Sequence, residues 1–211
     1  MNIVKSQMED IYSRMAPADI PWNIQTPPLL LKDLVEKGTI APCQALDLGC
    51  GMGNYSIYLV SRGFRMTGID ISNNAIRLAS KNADEQGVKV RFLAGDFLDD
   101  LPELTDPFDF ILEWEVLHHV YPEHRTAWIS RIKDLLNPGG KYLSVCFHEH
   151  DPGFGGKGKY RTTPLGSKLY FSSEKELNSL FRSLFMILDS EVKEITGKSG
   201  NHVVNYFLLS L

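Results

Sequence analysis

The sequence predicts an α/β domain, a doubly wound sheet of mostly parallel strands with one antiparallel strand, and three observations carry that expectation. Short apolar runs alternate with segments of helical period between residues 44 and 147. The first of those runs, Gln44 to Leu48, leads straight into a cluster of glycines, which is where a doubly wound sheet turns from strand to helix. At the C-terminus two strand-like runs, Met186 to Ile195 and Val203 to Leu209, are separated only by turn residues, Gly197 and Gly200-Asn201. No helix fits between them, so they read as a hairpin that adds an antiparallel strand to the sheet.

The elements follow in order. Val4, Met8, Ile11 and Met15 recur at helical spacing, so residues 3–15 should form an amphipathic helix ended by Pro17. Beyond Pro21 to Pro28, Leu29, Leu30, Leu34 and Val35 point to a second helix stopping at Gly38. Then come a helix near 54–62, a strand at 65–69, and a helix at 73–86 with Ser72 as N-cap. Val88 to Leu93 and Phe108 to Leu112 are the next strands. Pro122 opens a helix whose Trp128, Ile129, Ile132, Leu135 and Leu136 share one face, and Pro138-Gly139-Gly140 ends it before a strand at 141–147. Residues 148–168 are rich in Gly and Lys and read as a surface loop. Ser173 and Glu176 form a candidate capping box for a helix ahead of the hairpin. The expected organisation is a single domain over 1–211, with a helical cap or lid at 1–38.

Charge and cysteine usage narrow the function. With 22 Lys plus Arg against 26 Asp plus Glu, the net charge of −4 gives no general attraction to nucleic acid or anionic membranes. The first twenty residues carry Lys5, Glu9, Asp10, Arg14 and Asp19 and have no apolar signal core, and no run approaches a membrane span. Cys43, Cys50 and Cys146 are an odd number without metal-site spacing, which suits a reducing, cytoplasmic compartment. The oligomeric state is not readable from the sequence.

The chemistry is concentrated in Ala45-Leu46-Asp47-Leu48-Gly49-Cys50-Gly51-Met52-Gly53-Asn54. Glycines at that density let the chain turn sharply and let a ligand approach backbone, and the following helix offers unpaired N–H groups. Gly51, Gly53 and Ser56 approximate a dinucleotide fingerprint. The neighbouring acids argue otherwise. Asp70 ends the second strand, about 20 residues on, where a carboxylate can take both ribose hydroxyls. Asp47 would put negative charge where a dinucleotide brings its pyrophosphate, whereas S-adenosylmethionine carries an ammonium and a sulfonium and no phosphate. Asp96, followed by Phe97 after the third strand, adds an acceptor for an adenine amino group and a ring to lie beside it.

These residues resemble the class I S-adenosylmethionine-dependent methyltransferases, over about residues 20–211. The resemblance implies a Rossmann-like seven-stranded sheet with one antiparallel strand from the terminal hairpin. It also implies a methyl donor that leaves as S-adenosylhomocysteine, and no metal. Carried over residue by residue, Asp47, Gly49, Gly51 and Gly53 line the methionine end, Asp70 and Ile71 the ribose, and Asp96 and Phe97 the adenine. Pro21-Trp22-Asn23 and Phe108-Asp109-Phe110-Ile111-Leu112-Glu113-Trp114 resemble the thiol, thiopurine and halide branch, which places Trp22 close to the donor.

Methyl transfer from a sulfonium is an in-line displacement on an activated carbon, so the protein chiefly aligns the reactants and excludes water. A base is needed for a hydroxyl or protonated amine but less for a thiol, which is partly ionised near neutrality. Glu113, Glu115, His118 and His119 follow the fourth strand; Glu113 is the candidate partner of the cationic donor and His118 the candidate base, with His119 read as a core residue. His148-Glu149-His150 looks like a metal ligand set but lacks a third partner. For the acceptor, Trp114 and Tyr160 would supply apolar contact, and Arg161, with Lys157 and Lys159, would meet an acidic group. The expected activity is methylation of a small molecule at S, O, N or halide, with nucleic acid unlikely. The alternatives are an RNA or protein methyltransferase and, in another class, a noncatalytic donor-binding module.

Overall fold

The structure, a computed structural model, describes residues 3–99, 104 and 106–211; the first two residues of the expected 1–38 cap lie outside them. The chain divides into two compact units, Met1–Phe110 and Ile111–Leu211. The first contains α1 (Ile3–Arg14), α2 (Leu29–Glu36), β1 (Gln44–Leu48), α3 (Asn54–Ser61), β2 (Arg65–Asp70), α4 (Asn73–Glu85) and β3 (Arg91–Ala94). β4 (Phe108–Trp114) begins in it and ends in the second unit. The second unit continues with α5 (Pro122–Leu135), β5 (Leu136–Phe147), β6 (Tyr160–Thr162), β7 (Lys168–Tyr170), α6 (Glu174–Phe181), β8 (Met186–Gly197) and β9 (Gly200–Ser210). Seven strands form one sheet in the order β3-β2-β1-β4-β5-β9-β8. β1, β2 and β3 pair in parallel, and β9 runs antiparallel to both β5 and β8. The doubly wound sheet with a terminal antiparallel hairpin is therefore present as expected.

In the first unit the glycines set the packing. Phe92 of β3 lies where a Cβ on Gly68 would be 2.7 Å from its Cδ1 and a Cβ on Gly53 would be 2.7 Å from its Cζ. One aromatic ring thus fits over β2 and over the start of α3 because both positions lack a side chain. Gly68→Ala is expected to destabilise the fold by about 1–3 kcal/mol through overpacking. Urea unfolding checks this, and Phe92→Leu in the same chain should recover part of the loss. β3 starts later than the apolar run at residue 88 suggests. The Val88 N–H donates to the Ala83 carbonyl and Gly87 has φ +65°, so these residues close the end of α4 instead of starting a strand.

In the second unit α5 buries Trp128, Ile129 and Ile132, as its pattern implies, together with Arg125. The Arg125 guanidinium donates to the carbonyls of Val120 and Leu117 and to Ser172 Oγ, which fixes the turn that carries His118 and His119. β5 begins directly after α5 at Leu136 instead of after Gly140; helical backbone is disfavoured for Asn137 because it precedes Pro138. The expected loop at 148–168 contains a strand, β6, paired antiparallel with β7. The Ser173–Glu176 capping box is formed, with each residue's side chain accepting from the other's backbone N–H.

Candidate functional site

The glycine turn of the first unit is left-handed at three points, with φ +70° at Gly49, +52° at Gly51 and +77° at Gly53, conformations that glycine adopts without steric cost. The N–H groups of Gly49 and Cys50 donate to the Ile69 carbonyl, tying the turn to β2. The Asp70 carboxylate bridges the same elements, accepting from the Gly51 N–H at 2.9 Å and the Ser72 N–H at 2.9 Å. Asp47 accepts from Ser56 Oγ at 2.7 Å. Both acids are buried, and neither has an ion-pair partner among the described residues. Burial pushes Asp47 up to about 7 and Asp70 up to about 6, as loss of water disfavours the charged form.

Other first-unit residues gather at this turn. Trp22 Nε1 donates to the Tyr12 hydroxyl at 2.8 Å, with the rings edge to face. That hydroxyl lies 2.8 Å from where a Cβ on Gly51 would be. Tyr12 therefore sits directly on the glycine turn, and its own hydroxyl is pushed well above the usual range by burial and by Asp70. Ile71 is half-buried beside Asp70. Asp96 is half-buried and accepts from the Leu98 N–H at 3.0 Å, while Phe97 is buried. Glu9 of α1 accepts from the N–H groups of Asn73 and Asn74 and from Ser72 Oγ, capping α4 immediately after Asp70. Neither Tyr12 nor Glu9 stood out in the sequence, because nothing local links Tyr12 to Gly51 or Glu9 to the start of α4.

The second unit places the expected catalytic residues differently from their sequence reading. Glu113 is 0% exposed, and its Oε1 accepts from the hydroxyls of Tyr142 and Ser144 on β5. Burial raises it to about 7 against the opposing help of those hydroxyls, Arg125 and Trp128. Its Oε1 is thus satisfied from within the second unit, by two hydroxyls of β5. His118 is buried, with its ring stacked on Phe147 at 4.3 Å and only 2° from parallel. Its Nδ1 has no hydrogen-bond partner among the described residues. Burial first, and then His119, Arg125 and His202, hold it well below the usual range, which makes it a neutral ring and a poor base near neutrality. His119 is likewise held down, at about 4, by burial.

Glu115, just past the end of β4, has φ +61°, and its N–H donates to the Val145 carbonyl at 2.7 Å. Burial raises its carboxyl to about 7, opposed by His202. Trp114 is buried. Tyr160 is 46% exposed and packs edge to face with Tyr121 and Tyr170. Arg161, expected to meet an acidic acceptor, is 4% exposed instead. Its guanidinium donates to the carbonyls of Glu149, Asp151, Gly153 and Gly158 and lies 4.0 Å over the Phe171 ring. Lys159 pairs with Glu149 and Glu176. Two of the three cations that suggested an acidic substrate are occupied inside their own unit.

The glycine turn, Asp47, Asp70, Asp96 and Phe97 all fall within residues 45–140, which match the family described as a methyltransferase domain. Over those residues the chain is similar to methyltransferase domains. A probable thiol methyltransferase 2 of Arabidopsis thaliana is 30% identical over 129 residues, which cover 60% of this chain and 56% of that protein. The chain spans about half the length of several curated relatives it matches. Among solved structures, a methyltransferase from Methanosarcina mazei is 26% identical with a TM-score of 0.69, covering 89% of this chain and 98% of that one. The 1,6-didemethyltoxoflavin N1-methyltransferase of Burkholderia thailandensis, solved with S-adenosylhomocysteine, has the same fold at 21% identity and a TM-score of 0.72, covering 98% and 86%. Among the described residues no group of three or more His, Cys, Asp or Glu could hold a metal ion, and no helix is long and apolar enough to cross a membrane.

Acids whose charged form is disfavoured by loss of water set a pH dependence. Asp47, Asp70, Glu113 and Glu115 have folded values of about 6 to 7, above those of an unfolded chain. Between about pH 4 and 7 the folded state therefore binds more protons, and stability falls as pH rises through that window. Glu9 and Glu176 are held down at about 2; their contribution is complete above about pH 4.5 and is lost as pH falls towards 2. Thermal melts should peak near pH 5 and decline towards pH 8, and Glu113→Gln should flatten that decline. A melting temperature that rises steadily from pH 5 to pH 8 would contradict the assignment.

Proposed function

We propose that this chain transfers the methyl group of S-adenosylmethionine to a small-molecule acceptor. The observation that carries the proposal is the pair of buried carboxyls, Asp47 and Asp70, at a left-handed glycine turn with no cation beside them among the described residues. A ligand bearing an ammonium and a sulfonium lowers the electrostatic penalty of both acids, whereas a pyrophosphate adds like charge. That donor set fits the methyl donor: Asp47 and the turn towards its methionine end, Asp70 and Ile71 towards its ribose, Asp96 and Phe97 towards its adenine. Trp22 and Tyr12 would border it. When bound, the donor supplies a methyl carbon activated by a positive sulfur.

The acceptor reading draws on the second unit, whose aromatic residues suit a flat, largely apolar small molecule better than an acidic one, given the internal pairing of Arg161 and Lys159. Glu113 and Arg161 are assigned structural roles in this reading. Three free thiols, two of them buried, fit a reducing compartment, and a cytoplasmic location is proposed on that basis.

Calorimetry with S-adenosylmethionine, S-adenosylhomocysteine, NAD and NADP tests the donor. The first two are expected to bind and the dinucleotides are not; tight NAD binding with no response to either sulfur ligand would overturn the proposal. A turnover screen with labelled donor across thiols, phenols, amines, carboxylates and halides then identifies the acceptor class.

A further inference from the structure

β8 is the last strand of the seven-stranded sheet, with β9 on one side and no strand on the other among the described residues. Its 12 residues, Met186–Gly197, therefore present a row of backbone N–H and C=O groups that β9 does not take, and none of them is buried. Proteins commonly protect such an edge with a proline, a projecting lysine or a covering element. β8 contains no proline, and its one cation, Lys193, is held by Glu191 and lies over the Tyr206 ring. The bulge between Ile187 and Asp189 disturbs only the start of the strand, and from Asp189 to Gly197 its register with β9 is unbroken. Met186, Leu188 and Val192 are all exposed on this one strand, whereas Ile3, Leu29 and Tyr160 are each exposed on a different element.

The sequence of the edge is complementary to itself. Two copies of an edge strand continue one antiparallel sheet through a two-fold axis perpendicular to that sheet, so one residue stands opposite its own copy. Side chains opposite one another share a face and interact. With Val192 on the axis, Glu191 stands opposite Lys193 of the second copy, and Lys193 opposite its Glu191. On the other face each Ser190 hydroxyl stands opposite a Glu194 carboxylate, and Asp189 stands opposite Ile195. No like charges meet. Moving the axis to Asp189, Glu191, Lys193 or Glu194 sets a charge against itself, and moving it to Ser190 sets Asp189 against Glu191. Since Lys193 already pairs with Glu191 on its own strand, the Val192 register closes a square of alternating charge.

We propose that the free edge of β8 binds the same edge of a second copy of this chain, antiparallel about Val192, giving a homodimer with one sheet running across the two-fold axis. The backbone ladder supplies the attraction and the charges fix the register. Val192 leaves water against its own copy, and Leu188 leaves it against Thr196. An unrelated strand would satisfy the ladder but would leave Glu191, Lys193 and Glu194 without matched partners.

Sedimentation equilibrium of the full chain over a range of micromolar concentrations tests the proposal. The wild type is expected to form dimers that dissociate on dilution. Val192→Lys sets two ammonium groups against each other on the axis, and Glu191→Lys or Lys193→Glu turns both ion pairs into like-charge pairs. Each should weaken dimerisation at least ~10-fold. An equal mixture of the Glu191→Lys and Lys193→Glu chains should dimerise again, because every position 191 then opposes a position 193 of the other sign. Mixing cannot repair a misfolded chain, and circular dichroism of each variant checks that its monomer is intact. A monomeric wild type overturns the proposal, as does a dimer that Val192→Lys leaves unchanged. Failure of the mixture to dimerise, with both single variants weakened, overturns the register about Val192 and the proposal with it.

Discussion

Arg161→Ala is expected to lower the unfolding free energy by about 3–5 kcal/mol, the range for removing a buried charged group whose partners stay behind. The guanidinium holds four backbone carbonyls, from Glu149, Asp151, Gly153 and Gly158. Without it those oxygens are left to water or to one another in a segment with few apolar contacts of its own, and the packing on Phe171 is lost as well. Arg161→Lys should recover little, because one ammonium cannot reproduce a planar fork that reaches four acceptors. Urea unfolding measures both. A loss under about 1 kcal/mol would mean that the segment 149–161 is held by its hairpin pairing and not by the arginine.

Asp70→Ala is expected to weaken donor binding by about 1.5–3 kcal/mol, the usual size for hydrogen bonds to a charged group, or roughly 10- to 150-fold in the dissociation constant. Asp70 accepts from the N–H groups of Gly51 and Ser72, so its removal also loosens the glycine turn itself. Asp70→Asn separates the two effects, since the amide can keep one backbone contact while removing the charge. Calorimetry with S-adenosylhomocysteine, which lacks the sulfonium, alongside S-adenosylmethionine gives the readout. Unchanged affinity for both ligands would show that Asp70 serves the turn alone.

The first unit was largely legible because its logic is local. A strand of known period, glycines that must be left-handed, and an acid at the end of the next strand are all stated within short windows, and Ser72 marks its helix by the chemistry of a helix start. The second unit was legible as secondary structure but not as a site. Glu113 and Glu115 look equivalent on paper, two carboxylates at alternate positions. Strand pairing buries the first against Tyr142 and Ser144, and a left-handed backbone removes the second from the strand. Arg161 reads as a solvent cation among glycines, yet a ring of carbonyls collects it. His202 carries no local signal at all, since its partner Asp151 lies 51 residues away.

By itself the sequence determined the order and kind of the elements, the terminal hairpin and the glycine-and-acid turn, because periodicity, capping and glycine conformations act over a few residues. Tertiary structure alone decided which charged groups are enclosed and what they pair with. That depends on burial and on antiparallel pairing, which returns β9 to the end of β5 and so sets His202 beside Asp151; desolvation and long-range contact are properties of the packed chain, with no counterpart in the spacing of its residues.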